Sequence, residues 1–402
     1  MSEIALSARV KRIKPSPSMV ARMRAQELKA QGRDIIDLTI GEPDFDTPAH
    51  IRAAAEAAMA AGETRYTPIN GTPRLRKAIA AKLTRENGVT YPLDQITVGS
   101  GAKQVIYNAL AATLGEGDEV IVPAPFWVSY PDMVLACDGT PVIVACGENA
   151  GFKLTAEALE KAITPKTRWL ILNTPSNPTG AFYSAAEMKA LTDVLMRHPH
   201  VALMTDDIYE HIRFDGEEPV CPVVIEPGLT GRTLLVNGVS KTYAMTGFRI
   251  GYGAGPKPLI AAMNVIQSQT TSGAAAPSMA AAAAALEGDQ STVGEMRAAY
   301  RARRDRAVEL LNAIDGITCR TPDGAFYVYP SCAGLIGRKR PDGRELKTDA
   351  DVAMYVLEEA GVAVLDGAAY GLSPYLRLSI ATSLGDIEEA CARIARATSV
   401  LT

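Results

Sequence analysis

Aromatic residues, histidines and any large excess of one charge are scarce in this sequence. Of its 402 residues, 6% are aromatic and four are histidines, and the 41 lysines and arginines nearly balance the 45 aspartates and glutamates. With a net charge of −4 and no long basic run, the chain is not expected to bind nucleic acid. Its densest basic segment, residues 301–306 (RARRDR), is interpreted as the solvated face of a helix.

A long apolar run is also missing. The N-terminal segment MSEIALSARVKRIK contains several charges and no continuous apolar region, so we expect no signal peptide. The longest stretch without a charge, residues 258–286, is interrupted by amides, threonines, Gly273 and Pro277, which makes it too polar for a membrane span. The sequence therefore predicts a cytoplasmic protein without a membrane partner.

The few cysteines and histidines do not form a ligand pattern. The six cysteines are scattered and none lies in a C-x-x-C motif, so neither a zinc site nor a disulfide framework is indicated. His198 and His200 flank a proline and are interpreted as part of a surface turn. We therefore predict no metal site.

What is present is an ordinary globular composition, with 47% apolar residues and a length that suggests two or three domains. Between about residues 70 and 255, β-branched runs alternate with helical patterns, which predicts an α/β architecture with a mainly parallel sheet. The predicted strands are residues 95–98, 119–122, 141–144, 169–173, 201–205 and 233–236, and the predicted helices between or before them include residues 71–87, 101–114 and 184–197. After about residue 290, a long helix (295–314), short strands and two further helices (349–360 and 384–400) predict a smaller α+β domain.

Residues that follow the predicted strands are the candidates for a site, because ligands of such sheets bind beyond the carboxyl ends of the strands. Residues 99–104 (GSGAKQ) form a glycine-rich turn before a helix, which suits a phosphate. The turn is not G-x-G-x-x-G, so a dinucleotide site is disfavoured. Trp127 lies just past the next strand, where its ring could stack on a flat cofactor.

Three further strand ends carry polar residues. Asn177 stands between two prolines in residues 173–180 (NTPSNPTG), which hold its amide in a fixed direction. Asp206 ends a strand, where a buried carboxylate is costly unless it has a partner such as a protonated ring nitrogen. Lys241 follows the last strand, with Arg249 eight residues later, and a lysine in a closed crevice can form a Schiff base with a carbonyl.

Each of these features alone has a structural explanation, such as core packing for the tryptophan or a tight turn for the glycines. Together, the phosphate-binding turn, the stacking ring, the carboxylate and the lysine match what pyridoxal phosphate needs from a protein.

Segments along nearly the whole chain resemble those of the fold-type I aminotransferases, and in particular the beta subgroup of aspartate aminotransferases, some of which also act on prephenate. The segments are KPSPSM (from Lys14), GEPDFDTP (Gly41), RYTP (Arg65), GSGAKQ (Gly99), GDEVIVPAPFWVSYP (Gly117), NTPSNPTG (Asn173), TDDIYE (Thr205), NGVSKTYAMTGFRIGY (Asn237), GAFYVYPS (Gly324) and YLRLSIATS (Tyr375).

The resemblance implies the α/β fold of a fold-type I pyridoxal-phosphate-dependent transferase, with a mainly parallel seven-stranded sheet sandwiched by helices and a smaller α+β domain. The implied division is an N-terminal segment with part of the small domain (1–46), a large cofactor-binding domain (47–290) and a small C-terminal domain (291–402). The implied cofactor is pyridoxal 5'-phosphate, and the implied assembly is a homodimer with shared active sites.

The resemblance also implies a role for each matching residue. Lys241 would carry the cofactor as a Schiff base and move the proton in catalysis, and Asp206 would pair with the pyridine nitrogen. Tyr209 would hydrogen-bond the ring oxygen, and Trp127 would stack on the ring and also contact the substrate. The implied phosphate ligands are Gly101, Ala102, Ser240 and Arg249, with the partner subunit's Tyr66. The implied ligands of the substrate α-carboxylate are Asn177, Arg377 and the backbone of Gly41, of which Asn177 also contacts the cofactor.

Three positions bear on substrate specificity. Residues 258–286 contain no arginine or lysine, whereas the alpha subgroup binds the distal carboxylate with an arginine from this region; the beta subgroup instead uses the lysine at Lys103. Arg12 stands where prephenate-using members have a basic residue. Lys103 could alternatively neutralise the phosphate, and Arg12 could be a solvated charge. Tyr370 replaces the usual phenylalanine of a G-x-A-F-G stretch.

The resemblance predicts transamination of L-aspartate with 2-oxoglutarate to give oxaloacetate and L-glutamate, with prephenate as a further candidate substrate that would give arogenate. An aromatic aminotransferase or a C–S β-lyase on the same scaffold is the nearest alternative, and a lyase would release ammonia without an amino acceptor. A non-catalytic regulator that keeps the cofactor-binding domain is a second alternative. Such regulators carry an N-terminal helix-turn-helix domain, which we do not expect because the resemblance begins near residue 10.

Overall fold

The computed structural model describes residues 4–13, 17–214 and 220–402, and it gives the backbone alone for residues 17–22. Residues 14–16, which open the KPSPSM segment, therefore lie outside the described residues. The strands are β1 (Ile36–Asp37), β2 (Ile96–Gly99), β3 (Glu119–Ala124), β4 (Thr140–Ala145), β5 (Thr167–Asn173), β6 (Ala202–Asp206), β7 (Thr233–Gly238), β8 (Gly251–Ala254), β9 (Tyr327–Val328), β10 (Val362–Ala363), β11 (Leu365–Asp366) and β12 (Leu376–Ser379).

The α-helices alternate with these strands. They are α1 (Ala8–Arg12), α2 (Pro17–Ala30), α3 (Ala49–Ala60), α4 (Pro73–Asn87), α5 (Ala102–Thr113), α6 (Ser129–Ala136), α7 (Ala156–Ala162), α8 (Ala185–Arg197), α9 (Pro222–Ile225), α10 (Lys257–Ser268), α11 (Ala276–Glu287), α12 (Ser291–Asn312), α13 (Asp349–Tyr355) and α14 (Leu384–Thr398). None of the helices in the described part of the chain is both long and apolar enough to cross a membrane.

The large sheet has seven strands in the order β2-β8-β7-β6-β5-β3-β4, and all of them run parallel except β8. Apolar side chains of α3, α4, α8 and α11 form a buried cluster on one face, and those of α5, α6 and α10 form a cluster on the other. A sheet covered on both faces needs strands that are apolar throughout, which explains the continuous apolar runs in the sequence. The predicted α/β fold is confirmed.

Helix α4 shows how local sequence sets these boundaries. The Thr72 side chain accepts a hydrogen bond from the Leu75 N–H and caps the helix, and Pro73 occupies the first turn. Gly88 ends the helix with a φ of +68°. Leu75 and Ile79 lie on one face and are fully buried against the sheet.

Strand β8 is the strand of the large sheet that the sequence pattern does not predict. It reads GYGA, and glycines normally weaken the assignment of a strand. A Cβ at Gly251 would overlap the backbone of Ala102, and one at Gly253 would lie 2.7 Å from Val105 Cγ1. The glycines are therefore needed because α5 packs directly across β8.

The remaining strands form two small sheets. Strands β11, β12 and β9 are antiparallel, and β1 pairs with β10 in parallel. Helices α12, α13 and α14 pack on these strands around a separate apolar cluster. This is the smaller α+β unit expected after residue 290. The exact division at residues 46 and 290 stays a prediction.

The parallel strands β5, β6 and β7 end side by side, and the polar residues that follow them meet at one edge of the sheet. From the smaller unit, β12 and the segment after β1 reach the same edge and contribute Arg377 and residues 39–42 to it. A hydrogen bond from the Ser379 N–H to the Leu38 carbonyl joins these two segments. This edge is where the fold positions the candidate site.

Candidate active site

A cavity of about 500 Å³ opens beyond the carboxyl ends of β5, β6 and β7, beside the N-terminus of α5. The structure brings most of the predicted site residues to its wall. They are Gly41, Ala102, Lys103, Trp127, Asn177, Asp206, Tyr209, Ser240, Lys241, Arg249 and Arg377.

Lys241 presents a buried amine to this cavity. Its Nζ donates a hydrogen bond to the Gly41 carbonyl at 2.6 Å. Burial lowers the pKa of the amine to about 8, with a further lowering by the charges of Arg249 and Arg377 and an opposing effect of Glu42. An amine with this pKa is substantially neutral near pH 8, which is the form that attacks a carbonyl carbon.

The Asp206 carboxylate has one engaged oxygen and one free oxygen. Oδ2 accepts a hydrogen bond from the Tyr130 hydroxyl at 2.6 Å, whereas Oδ1 has no hydrogen-bond partner among the described residues. The residue is 3% exposed, and this burial raises its pKa to about 6, although hydrogen bonds from Tyr130 and from the Ile208 backbone and the charge of Lys241 oppose the rise. The free oxygen therefore fits a buried N–H donor such as a protonated ring nitrogen.

An anion cradle lies at the N-terminus of α5. Gly101 precedes the helix with a φ of +88° and provides no side-chain cap. The Gln104 N–H donates to the Gly101 carbonyl, which leaves the N–H groups of Ala102 and Lys103 to bind an anion. A Cβ at Gly101 would overlap the Arg249 guanidinium, so the glycine allows this arginine to approach the helix. Arg249 is anchored by a 2.9 Å hydrogen bond to the Thr246 carbonyl, and Ser240 lies beside it in the wall. These groups suit a phosphate.

Trp127 and Lys103 form another part of the wall. The Trp127 ring packs edge-to-face on Tyr130 with 5.3 Å between centroids. The Lys103 ammonium lies 4.7 Å from the centroid of the Trp127 ring. Burial and the charge of Arg249 lower the pKa of Lys103, so this ammonium lies in a region that is already positive and favours an anion.

Arg377 is a buried cation that is only partly hydrogen-bonded. It is 3% exposed, and its Nη2 donates to the Thr39 carbonyl at 2.5 Å and its Nη1 to Asn177 Oδ1 at 3.3 Å. Its Nε has no hydrogen-bond partner in the described part of the chain. The guanidinium lies over the rings of Tyr327 (4.5 Å) and Tyr370 (5.3 Å), so the tyrosine that replaces the usual phenylalanine helps to enclose this arginine. A buried guanidinium held in this way suits a carboxylate.

Tyr209 and Gly41 meet at Tyr327. The hydroxyls of Tyr209 and Tyr327 are 3.0 Å apart, and both phenols have a raised pKa because they are buried. A Cβ at Gly41 would lie 2.7 Å from the Tyr327 hydroxyl oxygen, so a larger residue would not fit here without moving that hydroxyl. The carbonyl of Gly41 is the group that accepts the hydrogen bond from Lys241.

Three predicted residues do not line this chain's cavity, and the first of them, Gly101, lies directly before the lining residue Ala102. Tyr66 is 99% exposed, so its predicted role depends on a second subunit. Arg12 forms an ion pair with Asp138 and donates to the Leu135 carbonyl at 3.4 Å, on the surface of α6. The roles of all three residues stay predictions.

Several wall residues are not predicted from the sequence. Tyr130 stands three residues after Trp127, close to one helical turn, which is the signal that could have indicated it. The Asn173 side chain donates to the Asp206 carbonyl at 2.7 Å and accepts from the Asn177 N–H at 2.8 Å, so it joins two predicted residues. The other unpredicted wall residues are Thr39, Ile40, Glu42, Ile208, Thr246 and Tyr327.

A separate ionic cluster lies behind this wall. Glu86, Glu210 and His211 bring potential metal ligands within 4.8 Å of one another. However, the buried Lys82 ammonium pairs with Glu210 and lies 3.5 Å from Glu86. Because this ammonium already pairs with both carboxylates, we interpret the cluster as a structural ion-pair network.

The sequence model of the aminotransferase class I and II family matches residues 33–394. The chain belongs to the class I and II aminotransferases. The family resemblance drawn from its motifs is thereby confirmed.

This aminotransferase is similar to proteins with assigned activities. It is 54% identical over 391 residues to the aspartate aminotransferase of Rhizobium meliloti strain 1021, covering 97% of this chain and 95% of the relative. It is 55% identical over 389 residues to the aspartate/prephenate aminotransferase of Cereibacter sphaeroides, covering 97% of each.

Solved structures give the same result. The crystal structure of the aspartate aminotransferase from Rhizobium meliloti superposes with a TM-score of 0.98 at 52% identity and covers 100% of both chains. Aspartate aminotransferase from Thermus thermophilus with maleate gives a TM-score of 0.91 at 40% identity, covering 98% of this chain and 100% of the other. The fold of this aminotransferase is therefore shared over its whole length.

Proposed function

We propose that this aminotransferase uses pyridoxal 5'-phosphate to transfer the amino group of L-aspartate to 2-oxoglutarate, giving oxaloacetate and L-glutamate. The observation that carries the proposal is the presence in one cavity of a buried lysine amine, an anion cradle and a carboxylate with a free oxygen. The relatives with more than 50% identity that carry the name aspartate aminotransferase support the choice of substrate.

The residues present fit this cofactor. The free Asp206 Oδ1 is an acceptor for the ring N–H, and the first turn of α5 with Arg249 is a cradle for the phosphate. Trp127 offers a ring for stacking, and Lys241 offers the amine for a Schiff base. When it is bound, the cofactor supplies a conjugated ring that withdraws electrons from the substrate α-carbon.

The protein residues then bind the substrate and move a proton. Arg377 binds the α-carboxylate of the amino acid with Asn177, because its planar guanidinium is already oriented by Thr39 and two tyrosine rings. The Lys241 amine removes the α-proton and later returns a proton, for which a pKa of about 8 is well suited.

Asp206 maintains the electron demand of the ring. An ionised carboxylate in a buried site stabilises a proton on the ring nitrogen more strongly than one in water would, because the local dielectric is low. The rise in the pKa of Asp206 to about 6 leaves the carboxylate ionised at neutral pH, as this role requires.

Lys103 is the proposed cation for the distal carboxylate. It lines the cavity, whereas residues 258–286 contain no arginine or lysine. The Thermus thermophilus neighbour was solved with maleate, a four-carbon dicarboxylate, which supports a site of this kind.

We further propose a homodimer that works in the cytoplasm. In the dimer, the partner subunit's Tyr66 would complete the phosphate site, which accounts for its exposure in the single chain. All six cysteines are free, as is usual for proteins of a reducing compartment.

Prephenate is a second proposed substrate. The Cereibacter sphaeroides relative carries the name aspartate/prephenate aminotransferase, and Arg12 is the candidate residue for the additional carboxylate. Its present partner, Asp138, is exposed, so the ion pair is weak enough to exchange for a substrate.

The experiment that tests the proposal is a visible-spectrum titration of the purified protein, reconstituted with pyridoxal 5'-phosphate, against a panel of amino acids, with Lys241→Ala as the control. L-Aspartate should convert the bound cofactor to its aminated form at lower concentration than aromatic or neutral amino acids do. A preference for phenylalanine or tyrosine would assign an aromatic aminotransferase instead. Release of ammonia without an amino acceptor would assign a β-lyase.

A further inference from the structure

We propose that Tyr130 is a positioning residue that holds the Asp206 carboxylate by one oxygen and thereby presents the other oxygen to the ring nitrogen of the cofactor. This inference rests on the proposed function, since it concerns the way in which the same site holds pyridoxal 5'-phosphate.

The geometry gives Tyr130 contact with two walls of the site. It lies in the first turn of α6 and is 2% exposed, and its backbone N–H donates to the Trp127 carbonyl at 3.0 Å. Its ring packs edge-to-face on Trp127, and its hydroxyl donates to Asp206 Oδ2 at 2.6 Å. One side chain therefore touches both the stacking ring and the acid partner of the proposed cofactor.

The hydroxyl can act only as a donor toward this carboxylate. Burial and the Asp206 charge raise the pKa of Tyr130 well above its usual value, so the phenol keeps its proton throughout the working pH range. Because a bond from a phenol to an ionised carboxylate is stronger than one to a neutral carboxyl group, this bond is strongest when Asp206 is ionised. Tyr130 thus favours the charged form that a ring N–H needs.

Other groups also act on Asp206. Lys241 favours its charged form from across the cavity, whereas burial disfavours it. Asp207 and Tyr209 lie close by, and the neighbouring Asp207 carboxyl has a pKa raised to about 8 by burial and is largely neutral below that pH. Removing the hydroxyl of Tyr130 would therefore leave burial opposed only by the backbone hydrogen bond of Ile208 and the charge of Lys241, and the pKa of Asp206 should rise above about 6.

The test compares Tyr130→Phe with the unchanged protein by measuring the dissociation constant of the holoenzyme for pyridoxal 5'-phosphate by equilibrium ultrafiltration across pH 5.5 to 9. If the pKa of Asp206 rises by about one unit, the ratio of the two constants approaches about tenfold below about pH 6 and falls to near one above about pH 8. The ionisations of the cofactor itself are common to both proteins and cancel in the ratio. Tyr183→Phe is the matched control, because this buried hydroxyl bonds the Leu154 N–H instead of the site, and it should give a ratio near one at every pH.

A second pair of variants separates positioning from packing. In an Asp206→Ala background the hydroxyl of Tyr130 has no carboxylate to hold, so adding Tyr130→Phe should change the dissociation constant by less than about twofold. A ratio that does not vary with pH, or an equal effect of Tyr130→Phe in both backgrounds, would overturn the inference, and the second result would also reveal a purely structural effect on folding. The proposed function fails separately, if the unchanged protein binds no pyridoxal 5'-phosphate.

Discussion

Replacement of Lys103 by alanine tests how the site selects an acidic substrate. The Lys103 ammonium lies at the cavity wall, 4.7 Å from the centre of the Trp127 ring, and no arginine or lysine of residues 258–286 is available for the same task. If this ammonium binds the distal carboxylate of aspartate, its loss should affect dicarboxylic substrates alone.

The magnitude follows from the surroundings of the ammonium. A hydrogen bond to a charged group contributes about 1.5–3 kcal/mol. Lys103 is only partly buried, so solvent screening places its contribution near the lower end, at about 1.5–2 kcal/mol. Since about 1.4 kcal/mol is tenfold, Lys103→Ala should lower kcat/KM for aspartate by about 10- to 30-fold.

The assay measures kcat/KM for L-aspartate and L-alanine side by side on the unchanged protein, Lys103→Ala and Lys103→Met. Methionine keeps an apolar stem against Trp127 but removes the charge, so it should lose as much aspartate activity as alanine does if the charge is what matters. L-Alanine has no distal carboxylate and should be converted at a nearly unchanged rate by all three proteins. Equal losses for both amino acids would refute the reasoning and show that Lys103 serves the cofactor phosphate.

Three further substitutions test the remaining assignments. Lys241→Ala should remove the visible absorbance of the bound cofactor and lower turnover by several orders of magnitude, because one amine is both anchor and proton carrier, and near-normal activity would contradict the assignment of the cofactor. Tyr66→Phe should increase the loss of cofactor on dialysis while the circular dichroism spectrum stays unchanged, and an active monomer in sedimentation would contradict the role across the dimer. Arg12→Ala should lower turnover of prephenate and spare aspartate, so an equal response of both substrates would exclude a specific role for this arginine.

The large sheet was largely predictable because its strands are buried on both faces and carry apolar runs. The predicted strand at residues 169–173 lies within β5, and the predicted helix at 184–197 begins at its capping residue Ser184. Strand β8 could not be predicted because its composition is set by α5, which passes so close to Gly251 that a side chain would not fit. The requirement for glycine comes from Ala102, about 150 positions earlier in the chain, so no local sequence pattern around Gly251 can indicate it.

The site residues were predictable where a motif carries the chemistry, as for Lys241 and Asp206. Tyr130 was not, because a tyrosine in a short helix has the signature of an ordinary core residue, and only the structure shows its hydroxyl at the Asp206 carboxylate. Arg12 shows the opposite case, since its position in the sequence suggested the site but its side chain pairs with Asp138 outside the cavity wall.

The deepest part of the site depends on individual atoms, and these are beyond any sequence pattern. Asp206 Oδ1 and Arg377 Nε are both buried without a hydrogen-bond partner in the described ranges, and each such atom costs about 1–3 kcal/mol of stability. Their neighbouring atoms are engaged by Tyr130 and by Thr39, a residue 338 positions from Arg377. These contacts fix the orientation of both side chains, and both residues lie in the wall of one cavity. A ligand that carries a ring N–H and a carboxylate would pair with both of these atoms. The free energy lost by leaving them unpaired in the free protein would then be recovered on binding, because the site is preorganised.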